Sequence, residues 1–191
     1  EFLRAIDDIP NTTLVVKSAF KLAPLFFVRI GELRKAKWSE IDFDKQEWRY
    51  FITKTKQDHI VPLSKQAIEI LKELQCLTGQ HEHIFVGYRN NKIPMSDGAL
   101  NAAIRRLGYD TQEEITGHGF RAMARTILNE EMGIPVSVIE HQLAHKVPDS
   151  LGTAYNRTKF LEQRKKMMQQ WADYLDSLKQ NVIPFPKHKT A

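Results

Sequence analysis

Across residues 41–64, IDFDKQEWRYFITKTKQDHIVPLS, the chain leaves the helical hydrophobic period of its flanks and alternates apolar with polar residues. Two apolar arms surround a polar Lys-Thr-Lys-Gln-Asp tip, the pattern of two strands joined by a turn. A β-hairpin is therefore expected over roughly residues 47–63. Helical spacing returns on both sides of it. The expected fold class is α+β, mainly α with a small antiparallel β-sheet on one side.

The helices carry their own punctuation. Residues 12–28 (TTLVVKSAFKLAPLFFV) are strongly apolar and mostly helical in period, with Pro24 interrupting near the end. RIGELRKAKW reads as a second, short helix closing on Trp38. Ser64 caps a helix reaching about Leu77, with Ile68, Leu71 and Leu74 facing inward. Ser96 or Asp97 caps the next, within MSDGALNAAIRRLG. A helix from Gly119 to about Met132 stops at Gly133, and Pro135 opens another. A long polar helix follows from Thr158 to about Leu178, where Trp171, Tyr174 and Leu178 form an apolar stripe suited to the chain's own core or to a neighbouring protomer. The remaining residues, 179–191, hold two prolines and read as an irregular, mobile tail.

With 28 Lys and Arg against 23 Asp and Glu, the net charge of +5 is compatible with a polyanionic partner without requiring one. The single cysteine, Cys76, excludes an intramolecular disulfide and reads as a small core residue. No apolar run is long enough to span a bilayer, and no signal peptide opens the chain. The lack of an initiator Met predicts a fragment of a longer protein.

HGFRAMART, residues 118–126, puts His118 and Arg121 three positions apart and so on one helix face. Two cationic donors aimed the same way suit an anion held between them. Arg29 closes the apolar LFFV run, where an unpaired guanidinium would be costly to bury. Glu32, one turn on, is its evident partner, and from spacing alone a structural ion pair explains both. Lys54 at the hairpin tip, Arg121 on a helix surface and Tyr155 as a packed aromatic each admit a structural reading too. His141 and His145 stand at i, i+4 without a third metal ligand, and neither a glycine-rich phosphate loop nor a G-x-S-x-G elbow is present.

Taken in order, RIGELRKAKWSEID, TKTKQDHIVPLS, HGFRAMARTILNEEMG, HQLAHK and AYNR resemble the motifs of the tyrosine recombinase catalytic domain, the phage-integrase family. They look most like the branch carried by prophages and genomic islands. The resemblance implies the tyrosine recombinase catalytic-domain fold over residues 1–178, with the tail mobile or docking in trans. It also implies catalytic roles for Arg29, Lys54, His118, Arg121, His145 and the nucleophile Tyr155, with Glu32 supporting Arg29. Ala144 stands where the family usually has glycine, a departure expected to narrow the room beside His145.

The implied chemistry is metal-independent phosphodiester transesterification through a 3′-phosphotyrosyl intermediate, with no cofactor. Two guanidiniums present planar donor forks to phosphate oxygens and stay charged at cellular pH. The implied partners are double-stranded DNA at attachment sites and further copies of the chain, four in the synapse, with an accessory DNA-bending protein as a further candidate and no membrane. A bacterial cytoplasmic, nucleoid-associated setting follows, together with upstream domains that clamp DNA. A type IB topoisomerase and a non-cleaving DNA-binding module are the rival readings. The compact Arg-x-Gly-Glu-Leu box disfavours the first, and the pairing of Tyr155 with Lys54 disfavours the second.

Overall fold

In the computed structural model, which describes residues 2–7, 9–111, 119–145 and 160–180, one apolar helix lies at the centre of the packing. This is α2 (Leu14–Phe26), preceded by α1 (Phe2–Ala5) and packed against five later helices. Its Thr13 cap accepts from the Val16 amide at 3.4 Å, and Val15, Phe20, Leu22, Ala23 and Phe26 bury it on several sides. Pro24 does not end it. The helix runs on to Phe26, and the free Pro24 carbonyl accepts from the Trp171 indole at 2.8 Å. Termination falls at Phe27, whose left-handed backbone (φ 38°) closes the helix with a bond to the Ala23 carbonyl.

After α3 (Ile30–Leu33) and a 3-10 turn (Trp38–Glu40) come β1 (Ile41–Asp42), β2 (Glu47–Ile52) and β3 (Gln57–Pro62). They form one antiparallel sheet in the order β1-β2-β3, so the hairpin lies where alternation predicts and gains a two-residue outer strand. Tyr50 pairs with His59 and Ile52 with Gln57, which turns Trp48, Tyr50 and Ile52 inward while Arg49 and Phe51 stay exposed. Trp48 stacks on Tyr50 with centroids 4.3 Å apart and also meets Phe26 of α2 at 5.6 Å.

The sheet is followed by α4 (Lys65–Thr78), α5 (Ala99–Arg106), α6 (Gly119–Glu130), α7 (Val136–Gln142) and α8 (Leu161–Gln180). Ser64 caps α4 as expected, its hydroxyl accepting from the Ala67 amide at 3.3 Å. Three expectations need correction. Cys76 is exposed, because Ile68, Leu71, Leu74 and Thr78 define the inward stripe of α4 and residue 76 faces away from it. The cap of α5 is Gly98 without a side-chain bond, since Asp97 instead forms an ion pair with Arg34. Finally, the short helix after Arg29 ends at Leu33, and Trp38 opens the 3-10 turn with its indole bonded to the Thr78 carbonyl at 2.9 Å.

The helix α8 extends two residues beyond the expected Leu178. Of its apolar stripe, Trp171 is buried in the chain's own core, Tyr174 donates to Glu131 at 3.0 Å, and Leu178 is 41% exposed. Among the described residues, no helix is long and apolar enough to cross a membrane.

Candidate active site

The turn at Phe27 decides where Arg29 goes. It sends the chain into an extended course, so that Arg29 (φ −67°, ψ 139°) becomes the cap residue of α3. From there its Nη1 donates to Glu32 Oε1 at 2.9 Å, across one turn. The second carboxylate oxygen of Glu32 accepts from the Tyr50 hydroxyl at 2.8 Å. Burial, and then the Glu32 charge, push the Tyr50 phenol well above its ordinary value, so it remains protonated and a donor. The ion pair read from spacing is therefore present and is anchored to β2.

Arg121, on the first turns of α6, is only 6% exposed. Its Nη1 donates to the Phe27 carbonyl at 2.9 Å, two residues before Arg29, and its Nη2 to the Leu143 carbonyl at 2.8 Å. Its guanidinium pKa is lowered by burial first and by the charge of Arg29 second. Arg121 stays a cation all the same. Two like charges thus act on each other in one region, and among the described residues the hydrogen-bond partners of Arg121 are two carbonyls and the His145 ring, with no carboxylate. Such an arrangement favours an anionic ligand.

His145 follows a left-handed residue, Ala144 (φ 52°), just after α7. Its Nε2 lies 3.4 Å from Arg121 Nη2, and its Nδ1 bonds Glu140 Oε2. Glu140 also accepts from Arg125 Nε at 2.6 Å. The positive φ gives the physical reason for a glycine at position 144. Backbone conformation, more than room beside the imidazole, is what alanine strains there.

Lys54 sits in the turn between β2 and β3, where Lys56 is left-handed (φ 51°). A cleft of about 510 Å³ joins it to Arg29, with Glu32, Lys35, Lys37 and Tyr50 in the same walls. Gln57, at the start of β3, donates to the Ala144 carbonyl at 3.4 Å and ties the hairpin to the turn before His145.

A buried polar layer lies beneath. His59 bonds the Gln142 carbonyl at 3.1 Å, and burial depresses its pKa to about 3, with Arg164 contributing next. The Arg164 guanidinium, 1% exposed, donates to Gln142 Oε1 from Nε at 3.0 Å and from Nη2 at 2.8 Å, and also bonds the Ile60 carbonyl. Its pKa is lowered by burial to about 10. Arg164 thereby fixes α8 to β3 and α7.

Of the residues singled out from sequence, Arg29, Glu32, Lys54, Arg121 and His145 converge on this region. His118, which immediately precedes α6, and Tyr155 lie outside the described residues. Sequence reasoning passed over Tyr50, Arg125 and Glu140. Tyr50 had no motif to mark it, whereas Glu140 precedes His145 by five positions, a spacing that a short helix followed by a tight turn brings into contact.

Residues 1–162 match the model of the Phage integrase family. This chain belongs to the phage integrase family. It is 41% identical over 185 residues to the integrase of Enterobacteria phage P4, covering 89% of this chain and 42% of that protein. It is 42% identical over 165 residues to the prophage integrase IntA of Escherichia coli K12, covering 85% of this chain and 39% of that protein. The chain thus spans about two fifths of the length of these relatives. Among solved structures, XerA recombinase superposes with a TM-score of 0.60 at 14% identity, covering 94% of this chain and 62% of that one. The lambda integrase catalytic core gives 0.59 at 22% identity, covering 78% and 90%. A lambda integrase tetramer bound to a Holliday junction gives 0.55 at 21% identity, covering 81% and 44%. These structures share the fold, so the integrase-family chain has the architecture of a tyrosine recombinase catalytic core.

Proposed function

We propose that this chain is the catalytic part of a site-specific DNA recombinase that cuts and rejoins strands through a 3′-phosphotyrosyl intermediate. The observation that carries the reading is that Arg121 is seated on the Phe27 carbonyl, two residues before Arg29, whose cleft also holds Lys54. In this reading the scissile phosphate is the anion that the two guanidiniums hold. The Tyr155 hydroxyl attacks phosphorus, the P–O5′ bond breaks, and the strand stays joined to the protein. His118 accepts the proton that Tyr155 loses, and Lys54 gives one to the departing 5′ oxygen, so the protons balance. Arg29 and Arg121 share the charge on the non-bridging oxygens, His145 donates to one of them, and Glu32 orients Arg29. Conserving one phosphate ester bond throughout keeps the exchange reversible.

Residues 1–178 form the catalytic domain in this proposal. The partner is double-stranded DNA at attachment sites. The relatives' lengths support further DNA-holding domains in the whole protein. The lambda integrase tetramer on a Holliday junction supports four protomers in the synapse. An accessory DNA-bending protein and a place in the bacterial nucleoid complete the proposal. A nicked suicide substrate bearing the attachment site tests the chemistry. Wild type should become covalently attached to DNA, and Tyr155→Phe should abolish the adduct with affinity largely retained. Site-independent plasmid relaxation would overturn the recombinase reading in favour of a topoisomerase, and an adduct that survives Tyr155→Phe would overturn the nucleophile assignment.

A further inference from the structure

We propose that Glu140 is a positioning residue, which commits one imidazole nitrogen of His145 to itself and leaves Nε2 as the nitrogen that addresses the phosphate. The inference rests on the reading of this region as a phosphoryl-transfer site, and it assigns a role to a residue that no motif marks.

Three observations carry it. First, Glu140 holds residue 145 twice. Its carbonyl accepts the His145 amide at 3.0 Å, and its Oε2 bonds His145 Nδ1. The left-handed turn at Ala144 folds the chain back to allow both contacts. Second, the other oxygen of Glu140 is occupied by Arg125 Nε at 2.6 Å, so Oε2 is dedicated to the imidazole. Third, the charges facing the ring leave little choice of tautomer. An ionised carboxylate only accepts, so Nδ1 must carry the proton, while a guanidinium only donates, so Nε2 facing Arg121 at 3.4 Å must offer its lone pair.

Burial works to raise the Glu140 carboxyl, and the bonds from Arg125 and His145 outweigh it, holding the group below its ordinary value. Glu140 is therefore an ionised acceptor for the Nδ1 proton. Without it, the ring is free to take the other tautomer, placing an N–H against the donor Nη2 of Arg121. With it, Nε2 faces the place where Arg121 holds the phosphate. Once a phosphate oxygen stands between the ring and Arg121, a proton from solvent at Nε2 makes the ring a donor to that oxygen, and Glu140 shares the charge of the imidazolium.

The test combines a spectrum with a rate. Long-range proton–nitrogen spectra of the histidine-labelled protein report which ring nitrogen of His145 is protonated, with His145→Ala supplying the assignment. Wild type should show the Nδ1–H form, and Glu140→Ala should lose it. In single-turnover adduct formation, Glu140→Ala should slow the reaction about tenfold with DNA affinity within twofold. It should have no further effect in a His145→Ala background, where a merely structural contribution would still slow the reaction. Should Glu140→Ala fail to fold, Glu140→Gln keeps the side-chain volume and is compared by rate in the same way. Persistence of the Nδ1–H form in Glu140→Ala, or an unchanged adduct rate, overturns the proposal. Failure of wild type itself to form an adduct overturns the phosphoryl-transfer reading instead, and the spectra still decide what Glu140 does to His145.

Discussion

The Tyr50 hydroxyl donates to Glu32 Oε2 at 2.8 Å, so the carboxylate that holds Arg29 is itself held from the hairpin that carries Lys54. Tyr50→Phe keeps the ring stacked on Trp48 and against His59 but leaves a largely buried carboxylate oxygen without its donor. We expect a stability loss of about 1–2 kcal/mol by thermal melting. Single-turnover DNA cleavage should fall about tenfold as Arg29 loses its fixed geometry, with DNA affinity little changed. Full cleavage activity in this variant would show that Glu32 orients Arg29 without help from the sheet.

Arg121→Lys tests the fork geometry. One ammonium cannot reach both the Phe27 and Leu143 carbonyls and still present a planar face to phosphate. The expected result is a loss of cleavage of about a hundredfold or more, and a destabilisation of about 1–3 kcal/mol from the carbonyl left unpaired. Near-normal cleavage would mean that Arg121 supplies charge alone.

His59 predicts a pH dependence of stability. Its folded pKa of about 3 lies below the unfolded value of about 6.5, so the unfolded chain binds more protons between the two. The stability that His59 contributes is complete above about pH 6.5 and lost as pH falls toward 3, at about 1.4 kcal/mol per unit. Urea midpoints measured from pH 7 to pH 5 should decline in wild type and decline less in His59→Gln. Parallel profiles would place the titration elsewhere.

Ala144→Gly removes the strain of an alanine at φ 52°. Stability should rise by about 1 kcal/mol, after the entropy that glycine adds to the unfolded chain. Chemical denaturation measures this directly, and a fall in stability would show that the alanine methyl packs usefully against its buried surroundings.

Where the sequence speaks through local periodicity, it is read faithfully. The alternation around Trp48, Tyr50 and Ile52 becomes β2, and Ser64 caps α4 where its spacing places it. Local signals misled wherever tertiary partners compete for a residue. Asp97 has the chemistry of a cap, but Arg34, distant in the chain, takes its carboxylate. Cys76 lies amid apolar neighbours, yet helical geometry turns it to solvent. The motif residues were visible because their order along the chain is distinctive. Their supports were not, because Tyr50 reaches Glu32 across 18 positions and Arg164 reaches Ile60 across 104.

The two carbonyls that seat Arg121 belong to the main chain, at residues 27 and 143. Any amino acid that preserves the course of the backbone supplies those same oxygens. The guanidinium can therefore keep its seat while the side chains around it drift.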